Sequence, residues 1–392
     1  MPQHLRTIGY CMLLCCLLTT GFLAHGQKLD TVSTFSISGY IDAYYAYYND
    51  SVGSGKFQKF PFTSPRSNAP SVNTAQLSFQ YCANKIRGAA VFHYGDIASC
   101  AWAAEPYNHI MEAHAGFKIY RTLWLDAGFF RTHFGTEYLL PVENITSSIA
   151  VGSVYEPFFE SGVRLDWFPV KRLEVVLYLL NGYGTFIDNN EKKSLGTNIA
   201  WLIKDNLCLG YTNYIGDDSP VGDSVMHLRT DQNLYINYQY RKFKLVAGFD
   251  YCLQQHSDIA SGTKTGTMFC GLATVKYQAT KRFGIYTRGE YFSDPDALLS
   301  ARITDYRGRL TGYKVSGATL GAEYKPTDES YVRLEGRMLQ MDKDQYIFKD
   351  NHKPQNSRLE VMINAGITFD LIRNVRTRIA EHVSEPATGS ED

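Results

Sequence analysis

Charged residues recur at every second position in four consecutive segments near the end of the sequence. In an extended chain this spacing places them on one face, because successive side chains of a strand point in opposite directions. The charged face comprises Arg288, Glu290, Glu323, Arg333, Glu335, Arg337, Arg358 and Glu360. If that face lines a water-filled passage, its fixed charges set the field that a moving ion meets. The same Arg–Glu ladders could instead brace the wall of a sheet.

A further charged group lies in a distant segment and has the same alternating spacing. Arg164 and Asp166 share one face of that segment. An Arg or Lys side chain directed into the middle of a bilayer costs about 2–4 kcal/mol. If these segments cross a membrane, their charges must therefore point inward. We predict that Arg164 lines a pore together with the eight residues above, and that Arg288, Arg333 and Arg337 tune ion selectivity.

The sequence contains none of the motifs that commonly mark catalysis, namely GxSxG, HExxH, the P-loop and GxGxxG. His109, Glu112 and His114 lie close together, but on a strand His109 and Glu112 point to opposite faces. The acidic segment 216–223 offers carboxylates to calcium, yet it lacks the full ligand spacing of an EF-hand. We therefore expect no catalytic residue, no bound metal and no cofactor.

The connections between the strand-like segments alternate in length, and this alternation indicates the fold. Turns of a few residues, such as 84–85, 121–122 and 241–242, are interleaved with long loops such as 49–72 and 134–156. Bacterial outer-membrane barrels have short periplasmic turns at one rim and long extracellular loops at the other. We predict a closed all-β antiparallel transmembrane barrel of about 16 strands, with both termini at the short-turn rim.

Strict alternation of apolar and polar residues supports this fold. In the last segment Leu359, Val361 and Ile363 oppose Arg358 and Glu360. The pattern predicts the side of each residue, since a slip of one position would exchange the two faces. The side chains predicted to face lipid are Leu234, Ile236, Phe249, Val361 and Ile367, and those predicted to face the lumen include Asn233, Asp250, Arg333, Glu335 and Glu360.

Two segments depart from the simple pattern. Residues 173–180 are almost continuously apolar, so a lumen-facing Val176 or Leu180 would need cover from a loop that folds inward. The loop 49–72 contains three Phe and two Lys within residues 56–62. That composition suits a loop that enters the lumen and narrows it, although packing against neighbouring loops at the surface is the commoner arrangement.

The N-terminal segment predicts export, and the C-terminal segment predicts a polar tail. A single charged residue, Arg6, precedes an apolar run over 11–23, and Ala-His-Gly follows at 24–26. These are the parts of a secretory signal peptide with its cleavage site. We predict a signal peptide over 1–26, a barrel over 27–369 and a polar periplasmic tail over 370–392.

The amino-acid composition indicates which classes of molecule the protein can bind. The chain has 39 basic and 39 acidic side chains, so it lacks the basic excess that nucleic-acid binding needs. Its 28 Tyr and 22 Phe fit aromatic girdles at the two interfaces of a membrane. We therefore expect outer-membrane lipid as a partner and no nucleic acid.

Several local motifs resemble one family of outer-membrane proteins. They are Gly39-Tyr40-Ile41-Asp42-Ala43-Tyr44-Tyr45, Asp126-Ala127-Gly128-Phe129-Phe130, Phe134-Gly135-Thr136-Glu137, Gly162-Val163-Arg164 and Asn181-Gly182-Tyr183. Together they make the chain similar to the OmpL-like outer-membrane β-barrel porins. The resemblance implies a porin-like barrel that forms a pore, and it supplies neither a catalytic residue set nor a solute.

These observations lead to one expected function and two alternatives. We expect a non-enzymatic channel of the Gram-negative outer membrane for passive diffusion of small hydrophilic solutes or ions, with homo-oligomers a further possibility. A barrel that serves as scaffold or partner in a surface complex is one alternative. A barrel hydrolase is the other, but the sequence offers no Ser, His and acid set on adjacent strand ends.

Overall fold

The computed structural model describes residues 31–377 apart from 51 and 352. Sixteen antiparallel strands form one closed barrel, in which each strand pairs with its neighbours along the chain and the last pairs with the first. The predicted fold class and strand number are confirmed. Within the described part of the chain, no helix is long and apolar enough to cross a membrane.

The barrel strands are separated by short turns or by loops, and some loops contain small hairpins and helices. The barrel strands are β1 Thr31–Tyr48, β2 Ser71–Cys82, β3 Ile86–Tyr94, β4 Ile110–Tyr120, β5 Leu123–Arg131, β6 Phe159–Val170, β7 Leu173–Leu180, β8 Ser194–Lys204, β9 Leu207–Gly216, β10 Arg229–Tyr240, β11 Phe243–Gln254, β12 Gly266–Gln278, β13 Phe283–Ser293, β16 Lys314–Tyr324, β17 Ser330–Met341 and β20 Ser357–Thr377. The loop elements are α1 Asp96–Cys100, a 3-10 turn Pro141–Glu143, α2 Val151–Val154, and the hairpins β14 Ile303–Thr304 with β15 Leu310–Thr311 and β18 Phe348–Asp350 with β19 Lys353–Gln355.

Alternating burial gives the barrel two chemically different faces. On β17, Tyr331, Arg333 and Glu335 are buried while the intervening Val332 and Leu334 are exposed. The exposed face of the barrel is apolar, as a lipid-facing surface must be. Of the residues predicted to face lipid, Leu234, Phe249, Val361 and Ile367 are exposed, whereas Ile236 on the same face is partly covered.

Exposed aromatic side chains concentrate near the ends of the strands and form two belts. Near the short turns they include Tyr81, Phe117, Tyr120, Trp167, Trp201, Tyr240, Phe243, Phe283, Tyr324 and Phe369. Near the long loops they include Tyr45, Tyr94, Tyr251, Phe269 and Tyr291. Rings of this kind lie at the level of lipid headgroups, so the belts define the height of the membrane-spanning wall.

The connections separate by length between the two rims. Seven short turns share one rim with the start of β1 and the end of β20, and the long loops share the other. The short turns contain nine basic and three acidic side chains. The basic ones are Lys85, Arg121, Lys171, Arg172, Arg241, Lys242, Lys281, Arg282 and Lys325.

The seam between β1 and β20 is the longest ladder of the barrel. It pairs every residue of β1, from Thr31 with Thr377 to Tyr48 with Glu360. The last strand therefore continues beyond residue 369, the predicted end of the barrel. It can do so because β1 starts at Thr31, which pairs with Thr377. The signal peptide predicted over 1–26 and the tail from 378 onward lie outside the described residues.

Candidate functional site

The loop between β5 and β6 folds into the barrel, and we call residues 134–156 the inner loop. Most of its side chains are buried, and Thr146, Ser147, Ser148 and Ile149 are 0–2% exposed. It packs against the inner faces of β13, β16 and β17, which carry most of the charged residues singled out from the sequence. We call Arg288, Glu290, Arg333, Glu335 and Arg337 the anchor cluster.

Arg333 on β17 binds the backbone of the inner loop. Its guanidinium donates hydrogen bonds to the carbonyl oxygens of Pro141 at 2.7 Å, Asn144 at 3.0 Å and Thr146 at 3.0 Å. Its Nε donates to Glu323 at 2.8 Å, so the charge is also neutralised. Arginine has five donors in a fixed fork, which is why one side chain can satisfy three carbonyls and a carboxylate.

Glu335 and Arg288 hold the segment that follows. Glu335 accepts hydrogen bonds from the backbone N–H groups of Ser147 at 2.7 Å and Ser148 at 3.1 Å. Arg288 donates to the carbonyl oxygen of Ser148 at 2.7 Å and to Glu137 at 3.0 Å. Glu137 belongs to the inner loop and accepts the N–H of Ala150 at 2.6 Å. Wall and loop therefore satisfy each other's buried polar groups.

The remaining predicted charges complete a network along the same wall. Glu290 accepts the N–H of Val151 at 2.6 Å and pairs with Arg337 at 2.9 Å. Arg337 also lies 3.5 Å from Glu360, which accepts hydrogen bonds from Arg358. Charges that line an open, water-filled lumen would stay solvated. Instead the loop encloses them, and the side chains of Arg288 and Arg358 are 0% exposed.

Apolar contacts seal the opposite side of the inner loop. Phe134 packs with Val176, Leu180 and Tyr214, and this cluster explains the apolar run in β7. Val176 and Leu180 face the interior of the barrel. Phe134 of the inner loop shields them, as predicted for apolar side chains on the lumen face. Leu177 between them is 50% exposed on the outer face.

The first loop, residues 49–70, also reaches the inner wall. Ser64 accepts a hydrogen bond from Asn364 at 2.9 Å, and its N–H donates to Asn73 at 2.6 Å. Asn73 and Asn364 both donate to Asp42 of β1, six residues below the end of that strand at Tyr48. Of the two arrangements considered from the sequence, the structure therefore has the loop entering the barrel.

The wall formed by β3 to β6 carries charges that water reaches. Arg87 donates to Asp126 and Asp166, and Arg164 lies 3.5 Å from Asp166. Both arginine side chains are 20% exposed, while the side chains of Asp126 and Asp166 are 0% and 7% exposed. Asp126 and Asp166 are less exposed than the two arginines, so Arg87 and Arg164 present positive charge to the lumen beside Glu112, whose side chain is 22% exposed.

Three carboxyl groups meet where the inner loop ends. Glu156 lies close to Asp250 and Asp231, and Asp250 accepts hydrogen bonds from Asn233 and from the thiol of Cys270 at 2.8 Å. Burial, together with the nearby Asp250, Glu137 and Asp231, raises the pKa of Glu156 well above its usual range. The docked loop therefore favours a protonated Glu156.

The two groups considered for metal binding have other partners. His109 stacks on Tyr94 with ring centroids 3.8 Å apart, while Glu112 lies 3.7 Å from His114. In the acidic segment, Asp217 pairs with Lys192 at 2.7 Å. Within the described residues, no group of three His, Cys, Asp or Glu side chains is arranged to hold a metal ion.

Sequence reasoning placed the charges on the inner face but did not identify the inner loop or Arg87. The loop had a signal, since residues 138–156 contain eight Leu, Ile, Val or Ala residues and only two charges. An exposed loop would be more polar than this. Arg87 lies in β3, whose two faces are hard to distinguish because Gly and Ala occupy positions on both.

A closed barrel of sixteen strands, apolar outside and charged inside, with a loop folded into its interior, defines a porin-like outer-membrane protein. The sequence agrees with this class. Residues 34–369 match the family described as "putative beta-barrel porin-2, OmpL-like", and the chain belongs to that family. The match confirms the resemblance read from the local motifs. No curated protein matches the chain with significance.

Solved structures share the fold at low sequence identity. The anion-selective porin from Comamonas acidovorans aligns with a TM-score of 0.59 at 9% identity, over 86% of this chain and 100% of that one. OmpT of Vibrio cholerae in its trimer form aligns at 0.55 and 12% identity, over 86% and 99%. The outer-membrane channel DcaP of Acinetobacter baumannii aligns at 0.56 and 10% identity, over 89% and 100%.

Proposed function

We propose that the chain forms a passive channel for small hydrophilic solutes or ions in the outer membrane, and that the inner loop narrows it. The observation that carries this proposal is that the inner loop encloses the charged wall of β13 to β17 but leaves two arginine side chains inside the barrel partly exposed. These are Arg87 and Arg164 on the wall of β3 to β6. Solutes then pass along the arginine-bearing wall.

The nine charged residues predicted to line the pore divide into two roles in this proposal. Arg164 meets the solute directly, because its side chain is exposed inside the barrel. The other eight act through the inner loop. Some of them bind the loop directly, and the rest form ion pairs within the network of side chains that binds it. Fixed charge in a confined aqueous passage biases which ions enter.

We propose further that the protein catalyses no reaction and that it works as a homo-oligomer in contact with lipid. The family description and the solved structures support a channel, and one of those structures bears the description of a trimer. Chemical cross-linking of the protein in membranes tests the oligomer, since a monomer alone after cross-linking contradicts it.

Single-channel recording in a planar bilayer tests the channel. We expect stepwise conductance from the purified protein, and its complete absence from correctly folded, inserted protein would contradict the proposal. Selectivity is tested with Arg164→Gln, for which we expect a reversal potential shifted toward cations. The shift should be largest near 0.01 M salt, where the Debye length is about 30 Å, and should shrink at 1 M.

A matched control separates the arginine's position from its charge. Arg172→Gln makes the same change in a short turn outside the barrel, where Arg172 pairs with the exposed Asp205. We expect a much smaller shift from this variant. Equal shifts from the two variants would mean that Arg164 does not face the conducting path.

A further inference from the structure

Four basic side chains surround one carboxylate on the inner face near the short-turn rim. Glu323 of β16 pairs with Lys276 of β12, lies 2.8 Å from Arg333 and lies 3.9 Å from Lys325. The stem of Lys276 crosses β13 at Gly284, where a Cβ would lie 2.9 Å from the Cε of the lysine. A glycine at this position leaves room for Lys276 to reach a carboxylate two strands away.

The fourth basic group, Lys244 of β11, lacks a carboxylate of its own. It stands directly opposite Lys276 in the ladder of β11 and β12, and both side chains point inward. Like charges directly opposite each other destabilise a sheet. Among the described residues, no carboxylate lies within ion-pair distance of Lys244, and the fields of Lys276, Arg333 and Lys325 act on it against the single opposing field of Glu323.

The position of this cluster favours a dissolved ligand over a lipid. The four side chains point into the barrel, and those of Lys276 and Lys325 are 12% and 30% exposed. The turns beside them add Arg241, Lys242, Lys281 and Arg282, which belong to the basic set described for the short-turn rim. An anion that reaches this rim therefore meets positive potential before it meets the cluster.

We propose that Lys244, Lys276 and Lys325 form a binding site for a small doubly charged oxyanion, such as phosphate, at the periplasmic end of the lumen, with the buried Arg333 adding positive charge behind them. The inference rests on the proposed channel and names the class of solute that it retains. Four cations around a single carboxylate leave a net positive charge greater than one. This excess charge favours binding of a divalent anion over a monovalent anion. Lysine ammonium groups donate strong, charge-assisted hydrogen bonds to phosphate oxygens.

The test measures phosphate on the full-length protein in two ways. Phosphate added at constant ionic strength should reduce the chloride current through single channels, and acetate should have little effect. Equilibrium dialysis of the detergent-folded protein with radiolabelled phosphate measures binding without conduction. In Lys244→Gln we expect phosphate affinity to fall about tenfold, as for the loss of one hydrogen bond to a charged group.

The control is Lys281→Gln, which removes the same charge from an exposed position in the adjacent turn and should keep phosphate affinity within about twofold. Lys244→Gln should still fold, because Lys244 pairs with no carboxylate. Phosphate binding that is absent, or equal in the wild type and Lys244→Gln, overturns the site. Phosphate bound by a protein that does not conduct, and lost in Lys244→Gln, supports the site while rejecting the channel.

Discussion

Arg333 joins parts of the chain that are almost two hundred residues apart. Three carbonyl oxygens of the inner loop depend on its guanidinium, and Glu323 is neutralised by it. Removing one partner from a buried ion pair typically costs about 3–5 kcal/mol, because a charge is left buried without compensation. The residue is therefore expected to control whether the loop stays on the wall.

We predict that Arg333→Gln releases part of the inner loop and raises single-channel conductance. Glutamine keeps some of the length but loses the charge and most donors. The accompanying measurement is proteolysis of the loop in folded protein, which should become faster. Arg309→Gln is the control, since the Arg309 side chain is 63% exposed and its ion pairs within the described part of the chain are with the loop residues Asp305 and Asp344. Unchanged conductance and proteolysis in Arg333→Gln would show that the loop is held without this side chain.

Replacing Arg288, Arg333 and Arg337 together with Gln should change two properties. Loss of three positive charges should shift the reversal potential toward cations at low salt. Loss of their contacts with the loop and with Glu290 should also widen the passage. A reversal potential that stays fixed while conductance rises would assign these arginines to holding the loop alone.

Glu156 gives the docked loop a pH dependence with a defined sign. Because its pKa is raised in the docked state, docking is most stable at low pH. That stability is lost as the pH rises from the ordinary carboxyl range through the raised value. We predict that conductance increases with pH over this interval and that Glu156→Gln flattens the increase. An equally steep pH profile in Glu156→Gln would place the titrating group elsewhere.

At the scale of elements, the short helix α2 depends on a close approach to β12. A Cβ built on Gly152 would overlap the thiol of Cys270. A side chain at this position therefore requires α2 or Cys270 to move, since its Cβ would lie 2.8 Å from the Cβ of Cys270. The contact offers a test of docking that changes no charge.

We predict that Gly152→Ala loosens the inner loop, with faster amide hydrogen exchange over 134–156 and higher conductance. Cys270→Gly should restore the wild-type behaviour in the double variant, because it removes the overlapping atoms. Gly289→Ala is the control, since a Cβ at Gly289 meets no atom within 4 Å. The idea fails if Gly152→Ala and Gly289→Ala behave alike.

The elements that obey a simple repeat were predictable from the sequence, and those held by long-range contacts were not. Alternation in β17 and β20 fixed which side chains face inward, because the period of a strand is two residues. The inner loop has no repeat, and its position depends on groups such as Arg288 and Glu335, far away in the sequence. The partners of Arg333 likewise became visible only once the barrel had brought them together.

At the scale of the whole molecule, the near-neutral chain is electrically polarised along the barrel axis. The short turns carry nine basic and three acidic groups, whereas the long loops carry 12 basic and 18 acidic groups. A passage with opposite fixed charge at its two ends conducts ions more easily in one direction than in the other. The orientation of the barrel in the membrane should therefore be visible in its current.

We predict an asymmetric current–voltage curve at low salt that becomes symmetric near 1 M, where the Debye length falls to about 3 Å. Replacing Lys85, Lys171 and Arg241 with Gln should reduce the asymmetry, because it removes charge from the short-turn rim. The control replaces Lys56, Lys264 and Lys353 at the other rim, which should not reduce it. Asymmetry that persists in molar salt would have to come from the shape of the passage.

The seam between β1 and β20 has a consequence for biogenesis. Its residue pairs are separated by more than 300 positions, so they are the last contacts that a chain folding from its N-terminus can make. Until then the first and last strands each present an unpaired edge, which invites aggregation. We therefore expect the chain to need protection of these two edges until β20 is complete, and a chain that stops before β20 has no partner with which β1 can close.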